Sequence, residues 1–150
     1  MNKKLIVFDL DGTLAASKSV IDPEMERLFK KLLMVRTVAV IGGGKYDLFK
    51  LQLLSKLHGS KALFKNLFLF PTTSTSFYRY QGGSWKNIYK LELSKADREK
   101  IKKTFNEVFQ EIGYVHPAKI YGEVVEDRRT QITFSALGQE IVAVLGAKGV

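Results

Sequence analysis

The run Leu5-Ile6-Val7-Phe8-Asp9 constrains the fold more than any other part of the chain. An unbroken apolar stretch this short that ends in a carboxylate reads as a strand buried on both faces, the kind found at the centre of a parallel sheet. Asp22-Pro23 then supplies a helix N-cap and a proline for the first helical position. Met25, Leu28, Phe29, Leu32 and Leu33 follow at helical spacing. Thr37-Val38-Ala39-Val40-Ile41 reads as a second buried strand closed by Gly42-Gly43-Gly44. Leu48, Leu51, Leu54 and Leu57 mark the apolar face of a second helix, stopped at Gly59. With a third apolar run from Leu67 to Phe70, the order is that of consecutive right-handed βαβ units in an open α/β sheet.

The rhythm changes after the third run. Ser76 to Gln81 and Trp85 to Leu91 read as strands joined at Gly82-Gly83, a hairpin signal. Ser94 caps a helix carrying Ile101, Phe105, Val108, Phe109 and Ile112, with Gly113 at its end. Ile120 to Glu126 and Gln131 to Ser135 read as two further strands around Asp127-Arg128-Arg129-Thr130. Residues 1–81 therefore form one expected module and residues 82–150 a second, antiparallel α+β one. No internal repeat or low-complexity segment interrupts them.

Composition narrows the chemistry. With no cysteine, disulfides, thiolate nucleophiles and zinc-thiolate sites are excluded, so any catalysis must use oxygen or nitrogen groups. No apolar run approaches the roughly 18 residues of a membrane span, and basic Lys3-Lys4 leads directly into the first strand, so a cytoplasmic protein without membrane contact is expected. The formal charge of +9 would suit nucleic acid, an anionic surface or phosphorylated small molecules. The excess is concentrated: residues 1–80 hold 13 Lys and Arg against 6 Asp and Glu, whereas residues 81–150 hold 11 against 9.

Asp9-Leu10-Asp11-Gly12-Thr13 stands where the first strand enters its loop. Ligands in open α/β sheets sit beyond the carboxyl ends of the strands, and Gly12 permits the sharp turn that opens the crevice there. Two carboxylates one residue apart at such a tip can hold a hard cation such as Mg²⁺. One can attack a phosphoryl group while the other moves a proton. A calcium loop does not fit: counting from Asp9, position six is Leu14 rather than Gly and position twelve is Val20 rather than Glu. An Asp-rich turn without chemistry is the bland alternative.

The segment "VFDLDGT" resembles the first motif of the haloacid-dehalogenase superfamily, most of whose members are Mg²⁺-dependent phosphatases and phosphomutases. The resemblance implies an α/β fold with a Rossmann-like parallel sheet, here partial, and an inserted α+β cap. Residues 1–81 would be the N-terminal part of the core and 82–150 the cap. It further implies that Asp9 is the nucleophile, carrying an aspartyl-phosphate, and Asp11 the general acid/base. Thr13 would support the loop at the phosphate, and Mg²⁺ would be held by the Asp9 carboxylate and the Asp11 backbone carbonyl.

Where many members of the superfamily carry Ser or Thr on the second strand, this chain has Gly42, in Ile41-Gly42-Gly43-Gly44-Lys45. It is similar there to the Gly-Gly variant of eukaryotic-type phosphomannomutases, whose backbone N–H groups at Gly42 and Gly43 would approach phosphate. The segment "VEDRRTQITFSALGQE" resembles the cap of the same group, in which Arg128 would grip the substrate's distal phosphate. Gln139 stands where that group has a second arginine, which favours a phosphatase over a mutase. The implied partner is a small phosphorylated metabolite, a phosphosugar above all, and a homodimer through the cap is expected.

Other residues receive plainer readings. His58 and His116 lack neighbours at metal-ligand spacing and read as helix-end or loop residues. Phe77-Tyr78-Arg79-Tyr80 alternates as a half-buried strand rather than a base-stacking surface, and Lys95 to Lys103, interrupted by Asp97 and Glu99, reads as a solvated helix face. Lys45 reads as a surface lysine.

The superfamily's later lysine and acidic metal-binding pair find no match, since Asp127 is the sole aspartate after Gly113. The chain thus corresponds to the front part of a full-length member, and weak or no catalysis is expected of it alone. Two alternatives stand beside the enzyme: a regulatory protein that binds phosphometabolites without turnover, and a basic nucleic-acid-binding module. Against the latter, no helix-turn-helix, zinc-finger or RNP motif is found.

Overall fold

A computed structural model of the chain describes residues 4–58 and 61–146. The expected helix stop at Gly59 and the last four residues of the second module lie outside them. The chain divides into two compact units, residues 1–90 and 91–150.

The first unit is a five-stranded sheet in the order β1-β2-β3-β4-β5. Strands β1 (Leu5–Asp9), β2 (Thr37–Ile41) and β3 (Leu67–Phe70) run parallel, and β4 (Ser76–Gln81) and β5 (Ser84–Lys90) continue the sheet antiparallel. Helix α1 (Pro23–Val35) connects β1 to β2. As the sequence implies, Asp22 caps it, accepting the Met25 amide at 2.8 Å, and Pro23 occupies its first turn. Between β2 and β3 lie α2 (Tyr46–Phe49), which passes directly into a π-helical segment over Lys50–Leu54, and the short α3 (Lys61–Phe64).

Parallel register places Ile6, Val38 and Leu67 side by side, then Phe8, Val40 and Leu69. This face meets Phe29 and Leu33 of α1, Phe49 of α2 and Leu53 of the π segment in one buried cluster, against which Leu63 and Phe64 of α3 also pack. All helices of the unit thus serve one face. The other face begins with Leu5 and Val7, which are 48% and 57% exposed. It continues across the sheet as an aromatic stripe in which Phe77 stacks on Phe70 at 4.7 Å and meets Phe68 edge-on.

Three expectations are corrected here. β1 was expected to be central and buried on both faces, but among the described residues it is an edge strand with one bare face, and β3 takes the central place. The apolar run suits two-sided burial, and only one side is covered within these residues. The module boundary expected after residue 81 falls at Lys90 instead, because β5 pairs along its length with β4. The leucine face expected for the second helix is broken: Leu51 is 57% exposed, while Gln52 and Leu53 are fully buried. In the π segment Ser55 N–H reaches back to Lys50 O, five residues, at 2.8 Å. Each such turn takes up an extra residue and rotates everything after it.

The second unit joins α4 (Lys95–Glu111) to a two-stranded antiparallel sheet of β6 (Val125–Asp127) and β7 (Ile132–Phe134), with α5 (Ile141–Leu145) after it. The strands are shorter than expected, and α5 was not foreseen. Ser94 caps α4 by accepting the Asp97 amide at 3.0 Å. Phe105 and Phe109 pack on Phe134, whereas Val108 and Ile112, expected on the same face, are exposed.

Candidate functional site

The parallel register sets Asp9 beside Ile41 and Ile41 beside Phe70, so the carboxyl ends of three strands finish level. Three connections leave from that line: the Leu10–Asp22 loop, the Gly42–Lys45 turn and the Pro71–Thr75 turn. The first two hold Asp11, Thr13, Gly42 and Gly43 of the residues singled out from sequence, and Asp9 ends the strand from which the first one leaves.

The Leu10–Asp22 loop is held down from within. Leu10, Leu14, Ala15 and Ile21 are buried in the core, and the Leu10 carbonyl accepts the amides of Leu14 and Ala15, both at 3.1 Å. Gly12, with φ +78°, makes the turn, as expected, and its amide donates to Ala15 O at 2.7 Å. Asp9 and Thr13 are left exposed to solvent, whereas Asp11 is half-buried.

Asp11 is fixed in place by two donors. Its Oδ1 accepts the Lys18 amide at 2.7 Å and the side-chain Nε2 of Gln52 at 2.7 Å. Gln52 sits in the π segment with no solvent exposure, and its backbone carbonyl accepts the Ile21 amide at 2.9 Å. Burying an amide costs on the order of 1–3 kcal/mol when its hydrogen bonds are not replaced. Here Nε2 is satisfied, while Oε1 is buried without a partner. Sequence reasoning missed Gln52, because helical spacing put leucines rather than this residue on the inner face.

The glycine turn is built differently from expectation. The Gly42 amide donates to Phe70 O at 3.2 Å, so it is committed to the sheet and not offered to a phosphate. Packing favours glycine there: a Cβ would come 3.3 Å from the Phe49 ring, which would have to give by a few tenths of an ångström. At Gly43, which is exposed, a Cβ would meet nothing within 4 Å. The turn is tied to its neighbour by Thr72 N–H to Gly44 O and Thr73 N–H to Gly42 O, each 2.9 Å. Beside it Tyr46 stacks on Tyr78 with ring centroids 3.8 Å apart, and burial, then the Tyr78 phenol, pushes the Tyr46 hydroxyl up to about 12.

Arg128 belongs to the second unit. Its side chain is only 13% exposed, and its Nε donates to Glu126 Oε2 at 2.6 Å, its Nη2 to Gln139 Oε1 at 3.1 Å. Arg98 pairs with Asp127 at 3.2 Å nearby. Burial raises the Asp127 carboxyl, but the Arg129 amide and the Arg98 guanidinium outweigh it and hold it below its ordinary value. His58 lies 3.5 Å from Glu26, and His116 packs in the aromatic cluster of Phe109 and Tyr114. Among the described residues no three His, Asp or Glu side chains gather as a metal site, and no helix is long and apolar enough to cross a membrane.

No family model matches the chain. Among curated proteins it is 28% identical over 138 residues to a phosphomannomutase of Drosophila melanogaster, covering 91% of this chain and 51% of that protein. It is 28% identical over 135 residues to a phosphomannomutase of Spinacia oleracea, covering 90% and 51%. The chain therefore spans about half the length of these relatives. Among solved structures it matches ATP-bound IMP-nucleotidase of Plasmodium falciparum with a TM-score of 0.61 and 15% identity, over 86% of this chain and 34% of that one. A haloacid-dehalogenase-like hydrolase of B. subtilis matches with a TM-score of 0.55 and 18% identity, over 95% and 43%.

The fold is thus that of the haloacid-dehalogenase-like hydrolases. In sequence the chain is similar to phosphomannomutases over about nine-tenths of its length.

Proposed function

We propose that this chain forms part of a phosphoryl-transfer enzyme that acts on a small phosphorylated metabolite of the phosphosugar class, with Asp9 as nucleophile and Asp11 as general acid/base. The observation that carries the reading is the contrast between the two carboxylates: Asp9 open to solvent at the strand tip, Asp11 one turn on and held by two donors. A nucleophile must be reachable, and a proton carrier must be oriented.

In the first step an Asp9 carboxylate oxygen bonds to phosphorus as the bond to the substrate oxygen breaks, and protonated Asp11 gives its proton to that leaving oxygen. In the second, Asp11 takes a proton from an attacking water or hydroxyl as its oxygen bonds to phosphorus and the Asp9 oxygen leaves. Gly43 and Thr13, both exposed at this end of the sheet, are the residues proposed to face the phosphate, and in the second unit Arg128 is the cation proposed for an anionic group.

Mg²⁺ is commonly held by one or two carboxylates together with waters and substrate phosphate oxygens. The Asp9 carboxylate and the Asp11 backbone carbonyl would be oxygen donors of that kind, leaving the Asp11 carboxyl to its acid/base role. A cation there would offset repulsion between the carboxylates and the phosphoryl oxygens. Phosphate release from hexose monophosphates by protein expressed from the complete reading frame tests the reading. Asp9→Asn should lower turnover by about 10³-fold or more, and retained turnover would overturn the mechanism.

A further inference from the structure

We infer that Gln52 is the positioning residue for Asp11, selecting which oxygen of that carboxylate exchanges protons; the inference rests on the acid/base reading of Asp11 given above. Gln52 occupies a place where an apolar side chain would be expected. It lies between Leu51 and Leu53, has no solvent exposure, and adjoins the core cluster. Nothing in the packing calls for an amide there, and half of that amide, Oε1, is buried without a partner. A buried polar group left partly unsatisfied marks a site where something other than stability set the residue type. Among the described residues, the one bond the side chain does make is the 2.7 Å donation to Asp11.

The backbone is shaped for that contact. Helix α2 begins as an ordinary α-helix and widens at Lys50, and it is this widening that turns Leu51 outward and Gln52 inward. Single π turns inside helices recur at functional sites for this reason: they re-aim one side chain. Gln52 also holds the far end of the same loop, since its carbonyl accepts the Ile21 amide. One residue therefore sets both the carboxylate and the span of chain that carries it.

The chemistry follows from the donors. Asp11 Oδ1 accepts two N–H groups, from Lys18 and Gln52, and neither can give up its proton at ordinary pH. An oxygen receiving two such bonds does not also carry the acidic proton. Proton transfer to the leaving oxygen, and from the attacking one, is thereby assigned to Oδ2. Gln52→Met keeps the length and apolar stem but removes the donor, freeing the carboxylate to rotate.

The test uses protein from the complete reading frame and two substrates, an alkyl (hexose) phosphate whose leaving oxygen needs a proton and p-nitrophenyl phosphate whose leaving group does not. For Gln52→Met, kcat/KM on the alkyl phosphate should fall about 10- to 100-fold and on the aryl phosphate less than about 3-fold. Equal losses on both substrates, or no loss, overturn the assignment. Asp11→Asn separates the two claims. If it shows the alkyl-selective loss and Gln52→Met does not, only the role of Gln52 fails; if Asp11→Asn shows none, the acid/base reading itself fails. Should Gln52→Met not fold, hydrogen exchange decides: the Gln52 side-chain amide protons should be protected in the unaltered protein and lose that protection in Asp11→Ala. Free exchange in the unaltered protein overturns the contact.

Discussion

The Asp11–Gln52 contact in the first unit and the Glu126–Arg128–Gln139 group in the second are both polar clusters set in partly apolar surroundings, but they are closed to different degrees. In the first, a neutral amide steadies a carboxylate through one oxygen and brings no opposite charge to it. In the second, the guanidinium is matched by a carboxylate at 2.6 Å and an amide oxygen at 3.1 Å. A brace that brings no opposite charge is suited to a group that must act on a ligand. A self-neutralised pair stabilises its own hairpin first, and the anion proposed for Arg128 would have to compete with Glu126.

Substitutions can break that contrast. The largest effect is expected from Asp11→Asn, which should reduce turnover of an alkyl phosphate by about 10²- to 10⁴-fold with little change in KM. Arg128→Ala, by comparison, should act mainly on KM. The reverse pattern in steady-state kinetics would mean the second cluster, not the first, carries the chemistry. Next in size, Glu126→Ala leaves a nearly buried guanidinium without its anion and should cost about 2 kcal/mol of stability in the second unit. Denaturation followed through Tyr114 measures this, and an unchanged midpoint would show that the pair is dispensable.

Acid sharpens the comparison further. Asp127 is held below its ordinary value, so its contribution to stability is present above its unfolded pKa of about 3.9 and is lost as pH falls through the lower folded value. The second unit should loosen below about pH 4, and Arg98→Ala should weaken that dependence. A denaturation midpoint that does not move across this range would contradict the pairing. The smallest effect concerns Tyr46 in the first unit. Its raised value means the neutral phenol stabilises the fold below about pH 10, and that stabilisation is lost only as pH passes about 12. Phenolate absorbance should show one late-titrating tyrosine, moved earlier by Tyr78→Leu.

Local signals carried far in this chain. Asp9, Asp11 and Gly12 could be placed at a strand tip because strand, turn and carboxylates are contiguous. Asp22, Pro23 and Ser94 marked their helices because capping acts over three or four residues. The features that escaped depend on geometry the residues do not announce locally. The leucine spacing from Leu48 to Leu57 describes an α-helix well, so the π segment that exposes Leu51 and buries Gln52 left no trace in the periodicity. The Gly42 amide seemed open to phosphate until strand pairing assigned it to Phe70. Arg128 was legible as a cation, but its partners are set by hairpin register and by the return of Gln139, which no spacing rule supplies. The boundary near residue 81 was misplaced for a similar reason, since a Gly-Gly turn marks a hairpin equally well inside a sheet and at its edge.

The central claim is that Asp9 carries the phosphoryl group. Protein from the complete reading frame, mixed with a hexose monophosphate and Mg²⁺ and quenched in acid, should yield a peptide bearing one phosphoryl group on Asp9, removable by hydroxylamine. Phosphate found on another residue, or turnover with Asp9 never labelled at any quench time, would contradict the account.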